Sequence, residues 1–127
     1  MNFLVNPTTP QELIAQFPDI ENDLAYVAEW MADAPTELTF AIEPLEKYTK
    51  EIQDRLGTYD DSPRHASRTN TIVELLRAGA PQRPVFIDTE YGMLIEGNHR
   101  IVAFYLLGLT SLPVVYVTAI ARATKAA

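Results

Sequence analysis

The stretch from Leu94 to Gly108, LIEGNHRIVAFYLLG, puts two cation-forming side chains, His99 and Arg100, on the opening turn of what reads as a helix. That turn carries unpaired N–H groups and the positive end of the helix macrodipole, so it ordinarily attracts acids. A cationic start asks for a negative charge in front of it. A bound phosphate would meet the demand. The N–H groups at the helix head donate, Arg100 offers a planar fork of donors, and His99 donates to an oxygen or carries a proton. Gly97 lets backbone approach a ligand closely, or take a turn closed to other residues. The spacing is not that of a Walker loop, because GxxxxGK[ST] is absent. The structural alternative pairs Arg100 with Glu96 or Asp88 and leaves His99 as a satisfied donor.

The flanking patterns say what holds this turn in place. PVFID and MLIEG read as two short strands around a turn at Tyr91-Gly92, and a helix follows from Asn98 to Leu107, stopped by Gly108. LPVVYVTAI is a last strand, too continuously apolar for an exposed edge. Upstream, ELTFAI (Glu37 to Ile42) reads as a strand ended by Pro44. PLEKYTKEIQDRLG gives a turn and a helix to Gly57, and TYDDSP a loop. A helical pattern resumes from Arg64 to Ala78, with Gly79 as the residue that ends it.

At the start of the chain, Thr9-Pro10-Gln11-Glu12 has the form of a capping box, and a short helix follows it to Pro18. Asp19 caps a second helix, whose apolar positions Ile20, Leu24, Val27 and Met31 recur at helical spacing, with Tyr26 and Trp30 widening the stripe. That stripe predicts packing against the rest of the chain. The expected division is an acidic helical extension over 1–36, a domain over 37–120 and a frayed tail over 121–127. The expected class is α+β, a small mixed sheet with packed helices.

Composition narrows the function classes. The chain has 127 residues, 47% of them hydrophobic, no cysteine and a net charge of −7. Disulfides, thiolate chemistry and cysteine-bound zinc are excluded. No apolar run approaches a membrane span and the first ten residues lack the form of a signal peptide, so a cytoplasmic location without membrane contact is the expectation. The charge is segregated: residues 1–61 carry 13 acids against Lys47, Lys50 and Arg55, whereas residues 62–127 hold four acids against six arginines and Lys125. Broad binding to DNA is not expected of such a balance. The acidic half is either a solvated face or a surface for a small-molecule or protein partner.

The run from Pro84 to Val117 resembles the ParB/sulfiredoxin-like superfamily. In that pattern a strand pair leads to Gly-x-His-Arg at a helix start, then a small residue, a helix-ending glycine and a strand. Gly97, Asn98, His99, Arg100, Ala103 and Gly108 stand in that order. A second block, SPRHASRTNTI, offers Arg64, Ser67 and Thr71 at the spacing with which sulfiredoxin-like proteins hold nucleotide, with Arg in place of Lys. The resemblance covers about residues 37–118. It implies a bound nucleotide (ATP, ADP or CTP), with Mg²⁺ contacted by Glu96.

The departures from the family pattern limit the inheritance. Sulfinic-acid repair needs a cysteine where Asn98 stands. The helix-turn-helix and dimerisation regions of partition proteins have no counterpart in this sequence, so a partition clamp is not expected. Free serine kinases share the fold, and their glutamate base after the first strand corresponds to Glu43 in FAIEPLEKY. Three classes stay open. The chain is a nucleotide-dependent phosphotransferase using Glu43 and His99, a noncatalytic nucleotide-binding switch or interaction module, or a ParB-like DNA-associated protein or nuclease. The residues leave the nucleotide, the acceptor and the oligomeric state undetermined.

Overall fold

A computed structural model describes residues 10–17, 20–60, 63–80 and 82–120. The expected caps at Thr9 and Asp19 and the 121–127 tail lie outside them. The described chain is α+β, with five helices around a four-stranded mixed sheet. In chain order these are α1 (Pro10–Gln16), α2 (Glu21–Trp30), β1 (Thr36–Pro44), a 3-10 turn (Leu45–Tyr48), α3 (Thr49–Asp60), α4 (Pro63–Arg77), β2 (Val85–Asp88), β3 (Met93–Glu96), α5 (Asn98–Leu106) and β4 (Ser111–Ala119).

Strand order across the sheet is β1-β4-β2-β3. β4 runs antiparallel to β1 and parallel to β2, and β3 returns antiparallel beside β2. The apolar run of β4 therefore sits in the middle, buried on both faces. Leu112 and Val114 point to one core with Val85, Ile87, Ile101 and Phe104, under α3 and α5. Val115 and Val117 point to the other with Phe40, Phe86 and Ile95, beneath α1 and α2. Alternation along a strand feeds both layers.

The N-terminal helices are one of those layers. Leu13, Phe17, Ile20 and Val27 are buried in the second core, with Leu24 and Met31 packed against it. Tyr26 and Trp30 do not widen the stripe; both remain exposed, and Trp30 Nε1 donates to Asp88 Oδ2 at 3.0 Å. On α5, Ile101 and Val102 are buried as the helical pattern predicts, whereas Ala103 and Phe104 take the inward places that Tyr105 and Leu106 leave for solvent. The helix expected to stop at Gly57 continues to Asp60. Gly57 lacks the positive φ of a helix-ending glycine, whereas Gly79 (φ +90°) has it, and Ala80 N–H closes the end of α4 on Leu75 O at 3.0 Å.

One backbone feature fixes the β3–α5 turn. Gly97 has φ +108°, and a Cβ placed there would lie 2.6 Å from Val85 Cγ1. Both the conformation and the space exclude a side chain. Gly97→Ala is therefore expected to destabilise the fold by roughly 2–5 kcal/mol, from left-handed strain plus overpacking. Adding Val85→Ala should relieve only the closest contact, because Val85 Cβ at 2.9 Å and Cα at 3.1 Å remain and the strain is untouched, so urea unfolding of the double variant should recover only part of the loss beyond that of Val85→Ala alone.

Candidate functional site

The opening turn of α5 stands at the end of the sheet where β3 finishes and β2 begins. α4 and α5 pack side by side, and between them lies a cleft of about 410 Å³ lined by Arg68, Thr71, Ile72, Glu96, Gly97, His99 and Arg100. Five of the sequence-predicted residues, Thr71, Glu96, Gly97, His99 and Arg100, thus border one space. Arg64 and Ser67 do not line it. Ser67 opens onto a shallow groove on another side of α4, and Arg64 is exposed. Thr71 borders both, and its hydroxyl donates to Ser67 O at 3.0 Å.

The cationic helix start finds its negative charge inside the chain. Arg100 Nη2 lies 2.6 Å from Asp23 Oδ2 on α2, and Nη1 donates to Pro84 O at 2.9 Å. The partner is neither Glu96 nor Asp88. The two side chains retain only 14% and 11% of their exposure, so the pair is desolvated. Asp23 could have been suspected from the sequence, because it falls three residues after Ile20 and four before Val27, on the buried face of α2.

The other groups at the helix head are also engaged. Glu96 Oε1 accepts a hydrogen bond from Gly97 N–H at 2.9 Å, so a carboxylate already occupies that donor. Asn98 Oδ1 accepts from Arg55 Nε at 2.7 Å, and Arg55 Nη1 donates to Glu51 O. His99 Nε2 sits 3.0 Å from His65 Nδ1, with the rings stacked 5.2 Å apart. One ring nitrogen donates and the other accepts, so at least one imidazole is neutral. Burial, then the charges of His65 and Arg68, hold the His99 imidazolium pKa below its ordinary range. Arg55, His65 and Arg68 were not legible as site residues, since 30 or more positions separate each of them from the turn they join. Among the described residues no cluster of three or more His, Cys, Asp or Glu could hold a metal ion.

Comparison with family models, with curated proteins and with solved structures returns no match. The reading of this site rests on its own geometry. No described helix is long and apolar enough to cross a membrane.

Glu43 belongs to a different cluster. It ends β1, at the same end of the sheet as Gly97 but on the opposite edge, three strand spacings or about 14 Å away. Lys47 Nζ donates to its Oε2 at 2.5 Å and to the Tyr116 hydroxyl at 3.0 Å. Tyr116 OH also donates to Glu43, and Tyr48 OH meets Tyr116 OH at 3.1 Å. The hydrogen bond from Lys47, and then that from Tyr116, hold the Glu43 carboxyl below its ordinary pKa. Burial chiefly raises both tyrosines.

Two outcomes follow. Breaking a buried ion pair by removing one partner costs about 3–5 kcal/mol, so Arg100→Ala and Asp23→Ala should each lower stability on that scale. The double variant should lose much less than the sum in denaturant unfolding. For Glu43, a carboxylate stabilised in the folded state contributes stability above its ordinary pKa of 4.5 and loses it as pH falls through the folded value. The Tm gap between the parent and Glu43→Gln should therefore narrow as pH falls from above 4.5 through the lowered folded value.

Proposed function

We propose that the chain is a nucleotide-binding, ParB/sulfiredoxin-like module that receives phosphate in the cleft between α4 and α5. One observation carries the reading: the Gly97 N–H at the head of α5 already holds a carboxylate oxygen, that of Glu96, in a cleft whose other walls include Arg68 and His99. A phosphate oxygen can take the place of that oxygen, with the remaining N–H groups of the first turn behind it. Arg68 on α4 supplies the facing donors in place of Arg64, and the Thr71 hydroxyl one turn on can add one if it turns from Ser67 O. Glu96, once displaced, is a carboxylate beside the bound phosphates, which suits a Mg²⁺ ion held mainly by them.

Binding without transfer is the favoured form of this reading. In-line phosphoryl transfer asks for a base next to the acceptor at the phosphate. Glu43 lies about 14 Å to the side. Its lowered pKa and two donors also make it a weak base. The charge segregation favours a nucleotide over DNA as the anion, because a duplex would also face the acidic half.

Calorimetric titration with ATP, ADP, CTP and GTP, with and without Mg²⁺, tests the proposal. At least one should bind, and Arg68→Ala should weaken it about tenfold, in keeping with one charge-assisted hydrogen bond. Glu43→Gln should leave the affinity unchanged. An anion favours charged imidazole, and free His99 is held below the ordinary histidine value of 6.5, so affinity should rise as pH falls below 6.5, and His99→Gln should flatten that dependence. Absence of binding by all four nucleotides, or equal affinity in Arg68→Ala, would overturn the assignment.

A further inference from the structure

The mirror image of the α5 problem stands at the other end of the sheet. α2 finishes at Trp30, where the negative end of its macrodipole favours cations, yet its last turn has no basic residue. Instead Glu29 and Asp33 lie exposed there. Residues 1–46 contain no Lys, Arg or His at all, and none occurs between Arg83 and His99. Among the described residues no ion pair to Glu29 or Asp33 plays the part that Asp23 plays for Arg100.

Large apolar side chains lie exposed at the same place. Tyr26 and Trp30, one turn apart on α2, keep 45% and 40% of their surface, and Tyr91 and Met93 of the β2–β3 hairpin keep 67% and 50%. Trp30 Nε1 donates to Asp88 Oδ2 at 3.0 Å, and Asp88 Oδ1 accepts from Glu90 N–H at 2.9 Å, so one buried carboxylate ties the helix end to the hairpin. Asp88 also pairs in register with Met93. The indole is thereby held in one orientation with a face left to solvent. An aromatic surface of this kind, set in negative potential, attracts guanidinium and ammonium groups through their charge and through cation–π contact.

We propose that this patch docks a basic, arginine-bearing segment of another protein, with apolar residues of the segment covering Tyr91 and Met93. The inference is independent of the nucleotide cleft, which lies at the opposite end of the sheet. Charge complementarity selects the occupant: a second copy would bring the same acids against each other, and a nucleic acid or an anionic membrane would be repelled.

Trp30 is the chain's only tryptophan, so its emission reports the patch directly. The full chain is titrated with a synthetic peptide of interspersed arginine, serine and leucine, and with a matched peptide carrying glutamate for arginine. The arginine peptide should give a saturable change in Trp30 emission that weakens with added salt, and the glutamate peptide none. Glu29→Arg combined with Glu90→Arg should weaken binding about tenfold or more with far-UV circular dichroism unchanged, and Glu29→Gln with Glu90→Gln should weaken it less. No emission change with the arginine peptide, or equal binding by both charge variants and the parent, would overturn the proposal. It would equally fall if emission changed with protein concentration alone, which assigns the patch to a second copy. A change caused by Arg122→Glu with Lys125→Glu before any peptide is added would assign it to the chain's own basic residues, and overturn the proposal as well.

Discussion

The ion pair between Asp23 and Arg100 joins the parts of the molecule that the sequence keeps furthest apart in charge. A helix opening on Asn-His-Arg sets cationic side chains against its own positive end. Asp23 answers that from α2, and Pro84 O takes a second guanidinium nitrogen just before β2 begins. One side chain thus ties α2, the entry to β2 and the head of α5 together. The pair is desolvated, so its worth lies less in net attraction than in the penalty for separating it. That penalty fixes where α2 sits on the sheet, and the position of α2 in turn fixes Trp30 over Asp88.

Gly97 is the second constraint on the same turn, and it acts through shape rather than charge. Its positive φ and its approach to Val85 let β3 end and α5 begin with no intervening loop. The result brings Glu96 back onto the Gly97 N–H and leaves the first turn of α5 facing α4. The carboxylate satisfies the donor while tethered by only its side chain, so a rotation of Glu96, with no movement of the backbone, uncovers that N–H.

Much of the architecture could be read from patterns along the chain. The uninterrupted apolar run of β4 marked a central strand, and the stripe of Ile20, Leu24 and Val27 marked a helix that packs. The glycine at position 97 was legible as a turn because its local sequence demands one. What stayed hidden was long-range. Which acid meets Arg100, that the two histidines touch, and that Arg68 rather than Arg64 faces the turn all depend on how elements rotate about their axes when they pack. Local periodicity sets which face of a helix is apolar, but not the residue of another helix that it meets. Asp23 is the instructive exception, because an acid set among apolar positions already implies a cation opposite.

The same pairing bears on whether residues 1–36 are an appendage to the sheet domain. α1 and α2 pack on one face of the sheet, where Phe40, Phe86, Ile95, Val115 and Val117 would otherwise meet water. Burial of that many large side chains is worth well over what a marginally stable domain can lose. Loss of α2 would also strip Arg100 of its counter-ion while Pro84 O continued to hold one of its nitrogens. The guanidinium would then be free to turn toward the cleft that it already lines, but in a sheet that had lost half its core. Charge segregation along the sequence is therefore not a sign of separable domains. One acid of the N-terminal helices, Asp23, meets the cationic head of α5 only when the two parts are packed together.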